Sequence, residues 1–200
     1  MSKIDQHYEA VKGIIRNRER VKDLAEVFTP PHIVSMMIDL LPEDAQSPES
    51  TYLEPSCGNG NFLVEILARK VRALELRGES ELGHSYELVA ALATITGIDI
   101  SAENVKEARN RLWSHAFGWH VYLTGLEPSQ GWATRVLGVL SLKIVEGDFL
   151  KGNFEVHDVK VMPWGQIISR PQLLSDMIPH EEREAATKKK KKARKKAEKA

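Results

Sequence analysis

A glycine-rich turn and three acidic residues have the types and spacing needed to bind a ligand in this sequence of 200 residues. The turn, Pro55-Ser56-Cys57-Gly58-Asn59-Gly60-Asn61, follows a short apolar run and precedes a helix-type pattern. Its glycines let the backbone approach a ligand closely, and a following helix directs free N–H groups towards it. A Walker phosphate loop is excluded because no Gly-Lys-Ser/Thr follows, and Leu63 replaces the third glycine of the dinucleotide-binding pattern. By itself, the turn is compatible with a nucleotide-type ligand and with a purely structural role.

The three acids, Glu54, Asp99 and Asp148, each follow a short apolar segment of the strand type. The carboxyl ends of parallel strands converge on one crevice, where an acid after the second strand can accept hydrogen bonds from ribose hydroxyls. Asp99 lies 39 residues after Gly60, more than the ~20 of the plain dinucleotide motif, so an insertion is expected within about residues 72–94. The ordered set of acids favours a shared crevice over three unrelated surface residues.

The elements that must position these groups alternate between helix and strand patterns. Helical periodicity is found over about 5–26, 32–41, 62–74, 85–96, 102–112 and 133–140, whereas 113–132 has no clear period. Ser101 is placed to cap the helix that follows Asp99. Two strand-type runs, 156–161 and 166–169, flank Met162-Pro163-Trp164-Gly165 and predict a β-hairpin. The pattern predicts an α/β fold that begins with helices.

The formal net charge of zero conceals two oppositely charged parts of the chain. Residues 188–200 carry a net charge of +8, so residues 1–187 carry −8. A Lys-rich block without large apolar residues cannot bury enough surface to offset its chain entropy, so it is expected to be disordered or at most a transient helix. Such a segment could bind phosphates non-specifically or serve only solubility or localisation.

The single cysteine, Cys57, excludes an internal disulfide and a cysteine-based zinc site. The seven histidines have no metal-ligand spacing, so no metal is expected. No stretch approaches the ~20 apolar residues of a membrane span, and the N-terminus lacks the apolar run of a signal peptide. We therefore expect a cytoplasmic protein without membrane contact.

Four ordered motifs resemble those of adenine-specific (N6) DNA methyltransferases, including the modification subunits of restriction-modification systems. They are Phe28-Thr29-Pro30, the run 53–63, Gly97-Ile98-Asp99-Ile100 and Gly147-Asp148-Phe149, within roughly residues 25–150. The resemblance implies a Rossmann-like S-adenosylmethionine-dependent methyltransferase fold, either whole or truncated. Its parts would be an N-terminal helical segment over 1–50, a cofactor-binding domain over 51–178 and a charged, Lys-rich disordered tail over 179–200.

The same resemblance implies S-adenosyl-L-methionine as the cofactor. The Phe-Thr-Pro segment and the glycine turn would frame its methionine part, Asp99 its ribose, and Asp148 with Phe149 its adenine ring. The implied cofactor-binding residues are Phe28, Thr29, Pro30, Glu54, Pro55, Cys57, Gly58, Gly60, Asp99, Ile100, Asp148 and Phe149. Cys57 is interpreted as a small residue that fills a tight turn, not as a nucleophile.

The Asn/Asp-Pro-Pro-Tyr/Phe motif with which that family holds the target base is absent from the sequence. The nearest segment, Ser169-Arg170-Pro171-Gln172-Leu173, has arginine in place of the amide, and a guanidinium has no acceptor for an amine proton. We therefore prefer the hairpin interpretation of this segment, and the catalytic residues stay unknown. About 40 residues between Asp148 and the basic tail are too few for a target-recognition domain of ~50–200 residues.

Three interpretations stay open: a fragment of a longer enzyme, a cofactor-binding subunit whose partner supplies catalysis and DNA recognition, or a divergent relative that has lost methylation. The function predicted is transfer of a methyl group from S-adenosylmethionine to adenine N6 in DNA, by the chain or with such a partner. The alternative is a non-catalytic S-adenosylmethionine-binding protein associated with a restriction-modification system.

Overall fold

The computed structural model describes residues 29–78 and 81–197 of the chain. Its elements are α1 (Pro31–Ile38), β1 (Tyr52–Glu54), α2 (Asn61–Glu75), α3 (Glu81–Ala93), β2 (Ile95–Asp99), α4 (Ala102–Thr124), α5 (Gln130–Lys143), β3 (Ile144–Glu146), β4 (Glu155–Val161), β5 (Ile167–Leu173), α6 (Leu174–Met177) and α7 (His180–Ala197). A short 3₁₀ turn, Glu43–Gln46, precedes β1. The helix predicted over 5–26 and the predicted site residue Phe28 lie outside the described residues.

A parallel sheet of three strands organises the fold, in the order β1-β2-β3. Glu54 pairs in register with Gly97, and Asp99 pairs with Glu146, so the strands end at the same edge. Two helices, α2 and α3, connect β1 to β2, which accounts for the long separation between Gly60 and Asp99. The predicted α/β fold with a parallel sheet is confirmed. Strands β4 and β5 form the predicted antiparallel hairpin around residues 162–165.

Helix α2 follows directly from its sequence pattern. Leu63, Leu67, Val71 and Leu74 recur every three or four residues and are fully buried against the sheet and its neighbouring helices. Helix α4 begins where predicted, because the Ser101 side chain accepts a hydrogen bond from the Asn104 N–H. These local signals determine where the chain leaves β1 and β2.

Helix α4 continues to Thr124, through the stretch for which the sequence shows no clear period. The reason is burial on more than one face, since α4 contacts α2, α3 and α5. Ala116 and Trp119 are fully buried, and so are the polar side chains of His115 and His120. A helix packed on several sides has no single apolar stripe.

Residues 180–197 include most of the segment expected to be disordered or at most a transient helix, and they form helix α7. Its first turn carries Glu181 and Glu182 and its later turns carry lysines, an order that complements the helix dipole. The buried Arg183 guanidinium donates hydrogen bonds to the carbonyls of Ile178 (2.6 Å) and Leu150 (3.2 Å). These tertiary contacts help to offset the loss of chain entropy on folding, which a Lys-rich segment without large apolar residues cannot offset by itself. Across the described ranges, no helix has the length and apolar character required to cross a membrane.

Candidate ligand-binding site

The carboxyl edge of the parallel sheet brings together most of the residues that the sequence singles out. Glu54 ends β1, Asp99 ends β2, and Asp148 follows β3 by two residues. The glycine turn connects β1 to α2 at this same edge, with Pro55 half-buried at its start. Neighbouring strands lie about 4.8 Å apart, so Glu54 and Asp99 flank the turn from adjacent strands.

The glycines of the turn are required by both backbone conformation and packing. Gly58 and Gly60 have φ of 52° and 86°, in the region that residues with a side chain rarely adopt. A Cβ on Gly60 would lie 3.1 Å from the Cβ of Ala108, because α4 packs directly against the turn. A Cβ on Gly97 would lie 2.7 Å from Leu63 Cδ1, so β2 also needs glycine for close approach. These close contacts fix the turn between β2 and α4.

Cys57 lies beneath the turn, buried against Gly97. Its N–H donates a hydrogen bond of 2.8 Å to the carbonyl of Ile98, which ties the turn to β2. Burial, with the nearby carboxylates of Asp99 and Glu54, raises the pKa of the thiol far above its usual range. A protonated, buried thiol is a poor nucleophile, so this environment supports the interpretation of Cys57 as a packing residue.

The Asp99 carboxylate accepts three hydrogen bonds from the protein and is only 7% exposed. Its Oδ2 accepts from the Gly58 N–H (2.8 Å), and its Oδ1 accepts from the Ser101 N–H (3.0 Å) and Asn104 Nδ2 (3.1 Å). A carboxylate has about four acceptor positions, which leaves one for a ligand. Asp99 therefore holds the glycine turn to the start of α4. Asn104 was not identified from the sequence, although a polar residue on the inner face of a helix is a usable signal.

Glu54 holds an ammonium group in the structure. Its carboxylate is 5% exposed, and Oε1 accepts hydrogen bonds from the Ser56 N–H (3.1 Å) and from Lys190 Nζ of α7. The same Nζ lies 3.4 Å from the Ser56 carbonyl oxygen and 4.8 Å from the centroid of the Phe62 ring. A carboxylate, a carbonyl and an aromatic face together suit a primary ammonium ion. The sequence contains no signal for this contact, because Glu54 and Lys190 are 136 residues apart.

Thr29 and Pro30 lie beside the turn, and Pro30 is the N-cap residue of helix α1. Asn61 Nδ2 donates a hydrogen bond of 2.9 Å to the carbonyl of the buried Thr29. Arg111 Nη1, from α4, donates to the Asn59 carbonyl (2.9 Å) and to Asn61 Oδ1 (2.6 Å). Arg111 and Asn61 thus couple the Thr-Pro segment, the turn and α4, and neither side chain was identified from the sequence.

At the third strand end, Asp148 caps a turn and Phe149 packs in the core. Asp148 Oδ1 accepts hydrogen bonds from the N–H groups of Leu150 (3.1 Å) and Lys151 (3.3 Å), so it caps the turn after β3. The Phe149 ring, expected at the ligand, is 6% exposed and packs in a second apolar cluster with Ile98, Val156 and Leu174. Burial there removes the ring from water more completely than an open crevice would. Ile100, directly after Asp99, is 71% exposed and is an apolar group available at this edge.

Comparison with known proteins identifies the family of the chain. A family model described as N-6 DNA Methylase matches residues 5–108, which include β1, the glycine turn, β2 and Asp99. The chain is 32% identical over 74 residues to the Type II methyltransferase M.VspI of Vibrio sp. (strain 343), covering 37% of this chain and 16% of that relative. No solved structure matches the chain. Because the family model covers just over half of its length, this protein belongs to the N-6 DNA methylase family.

Proposed function

We propose that this chain provides the S-adenosylmethionine site of a DNA methyltransferase that acts on adenine N6. The sheet edge with its glycine turn would be the cofactor half of a Rossmann-like methyltransferase fold. The observation that carries the proposal is the pair of buried carboxylates, Glu54 and Asp99, on either side of the turn. Family membership supports the reaction class, and the proposed substrate is DNA.

The residues at this edge fit the groups of the cofactor. The Lys190 ammonium bound to Glu54 stands in for the α-ammonium of the methionine part. The first turn of α2 presents N–H groups that suit the methionine carboxylate. The remaining acceptor position of Asp99 suits a ribose hydroxyl, and the exposed Ile100 suits the adenine ring as an apolar surface. Asp148 and Phe149 would act indirectly, by holding the turn and the core behind β3.

The cofactor, when bound, would supply an activated methyl group. The protein would contribute binding and orientation: Glu54 would anchor one end of the ligand, and Asp99 would hold both the ligand and the glycine turn. Arg111 and Asn61 would keep the turn in register with Thr29. Rigid positioning matters for methyl transfer, because a misplacement of about 1 Å can cost about 100-fold in rate.

The acceptor groups for the target adenine would come from outside the described part of this chain. The segment 169–173, which comes nearest to the missing motif, lies in β5 and pairs with β4, with Arg170 opposite Asp158. Its strand belongs to a separate two-stranded sheet and is not a strand of the parallel sheet. We therefore propose a longer enzyme or a partner subunit as the source of catalytic and DNA-recognition groups. No observation favours the alternative of a non-catalytic binding protein.

Titration calorimetry with S-adenosylmethionine tests the cofactor site. The Glu54→Gln variant should bind about tenfold more weakly than wild type, because a charge-assisted hydrogen bond becomes a neutral one. The loss is at the low end of the usual range because the substitution also frees the site of Lys190. Glu146→Gln, at the exposed end of β3, is the matched control and should bind as wild type does. No heat at about 1 mM cofactor with folded protein would refute the proposal.

Transfer of a tritiated methyl group to unmethylated genomic DNA tests whether the catalytic groups come from another polypeptide or a longer enzyme. The isolated chain should be inactive or very weak even when it binds cofactor, because its sequence lacks the Asn/Asp-Pro-Pro-Tyr/Phe motif that would align the target amine. Addition of proteins encoded next to its gene should restore transfer. Robust transfer by the chain alone would contradict this proposal and direct mutagenesis to the segment 160–173.

A further inference from the structure

Helix α7 crosses the carboxyl edge of the parallel sheet from one side to the other. Near its start, Arg183 is bound to the Leu150 and Lys151 carbonyls, just beyond β3. Seven residues later, Lys190 is bound to Glu54 at the end of β1. Seven helical residues rise about 10 Å. The distance from β1 to β3 is two strand spacings, which is also about 10 Å. The helix therefore spans the strand ends that flank the proposed cofactor site.

One face of α7 makes these contacts. Arg183 and Lys190 are seven residues apart and share this face, and Ala193 follows Lys190 by one turn. Ala193 packs against Ile33 and Met37 of α1, next to Phe62. The side chains of Lys188, Lys189, Lys191 and Lys192 are exposed, whereas that of Lys190 is half-buried against Glu54. The docked lysine is thus distinguished from its neighbours by helical position.

We propose that Lys190 is an internal competitor for the site at Glu54, where it occupies the ammonium position until a ligand ammonium displaces this side chain. The inference rests on the proposed function. Both ammonium groups would need Glu54 Oε1 and the face of Phe62, and two like charges at one carboxylate repel each other. Docking of Lys190 and binding of the ligand ammonium therefore exclude one another.

Competition of this kind depends on the chemistry of the ligand. A nucleoside sulfonium with an amino-acid end must displace Lys190, whereas a nucleoside without an ammonium can bind at Asp99 and Ile100 while Lys190 stays in place. The apparent affinity for a ligand with an ammonium is the intrinsic affinity multiplied by the fraction of molecules in which Lys190 does not occupy Glu54. The affinity for a ligand without an ammonium should not depend on Lys190.

The experiment compares Lys190→Met with Lys191→Met in the full chain. Both variants lose one charge from the same helix, but Lys191 is exposed and makes none of the contacts above. Titration calorimetry uses two probes, S-adenosylmethionine and 5′-methylthioadenosine, which lacks the amino-acid end. We expect Lys190→Met to bind S-adenosylmethionine about tenfold more tightly than Lys191→Met does, which corresponds to one charge-assisted hydrogen bond removed from the state in which Lys190 is docked. Both variants should bind 5′-methylthioadenosine equally.

Equal affinity of the two variants for S-adenosylmethionine, with normal binding of 5′-methylthioadenosine, would overturn the competition and leave the proposed function intact. The competition would also be overturned if Lys190→Met bound both probes more tightly than Lys191→Met by the same factor, because the effect would then not depend on the ligand ammonium. Failure of every variant to bind either probe, with unchanged thermal unfolding, would refute the proposed function and the competition with it.

Docking of the helix is measured separately, without any ligand. Hydrogen exchange of the amides over residues 183–196 should be faster in Glu54→Gln than in Glu146→Gln, because only the first substitution weakens the contact with Lys190. Equal exchange in the two variants would overturn the docked arrangement itself.

Discussion

Replacement of Asp99 by alanine should destabilise the fold itself, in addition to any effect on a ligand. Asp99 accepts hydrogen bonds from the Gly58 N–H, the Ser101 N–H and Asn104 Nδ2, and it is buried. Alanine leaves all three donors without this acceptor. A buried donor left unpaired costs about 1–3 kcal/mol, and Gly58 and Ser101 are only partly buried, so the expected loss is about 3–6 kcal/mol.

That loss is a large part of the usual stability of a domain, about 5–15 kcal/mol. With a urea m-value of about 2 kcal/mol/M, the midpoint of unfolding should fall by about 1.5–3 M. Asp99→Asn should lose less, about 1–3 kcal/mol, because its amide oxygen can still accept from Ser101 and Asn104 while its NH₂ faces the Gly58 N–H. Fluorescence of the buried Trp119 and Trp132 reports the transition.

Asp148→Ala is the matched control, because Asp148 also follows a strand but accepts two hydrogen bonds instead of three and lies at a more exposed turn. It should lose less than about 1 kcal/mol. If Asp99→Ala unfolds within about 1 kcal/mol of wild type, the three hydrogen bonds do not stabilise the turn as argued. A loss of cofactor affinity without a loss of stability would then assign Asp99 to the ligand alone.

Two further substitutions test the packing of the site and of the loop before β1. Gly60→Ala should lower the free energy of unfolding by about 2–4 kcal/mol, because it combines a positive φ with a Cβ only 3.1 Å from the Ala108 Cβ. Gly125→Ala is the control: Gly125 has a φ of 69° but lies in open space, so this variant should lose only about 1–2 kcal/mol in urea unfolding. Equal losses would show that contact with α4 is unimportant. Lys70→Met should cost about 2–4 kcal/mol at pH 7, because the buried Nζ donates to the carbonyls of Ser47, Pro48 and Ser50. Burial lowers the pKa of Lys70 to about 8, so between about pH 8 and 10.5 the unfolded chain binds more protons than the folded one. The free energy of unfolding of wild type should therefore increase with pH over this range relative to that of Lys70→Met. If this stability difference instead decreases with pH, the three carbonyls stabilise the charged amine by more than burial destabilises it.

Features that depend on residues close in the chain were predictable from the sequence. The strand, glycine turn and helix over 52–75, the Ser101 cap and the hairpin around 162–165 are each encoded within a short segment. Periodicity, capping and turn chemistry act over a few residues, so they can be recognised without knowledge of the fold. The order of the acids along the chain likewise predicted that strand ends would converge, and β1, β2 and β3 do end at one edge.

Features that depend on packing between distant segments were decided by the tertiary structure. Helix α4 runs to Thr124 because several helices bury it, and Phe149 turns into a core that forms only when β4 and α6 reach it. The order of α7 and the contact of Lys190 with Glu54 have the same origin. A lysine within a run of lysines carries no local sign of burial; its environment is set by which face of the helix meets the sheet edge, and that depends on contacts 136 residues apart. The local pattern of the sequence predicts that the glycine turn and the acids meet at one sheet edge, whereas the contact of an ammonium with Glu54 follows from the packing of α7 against that edge.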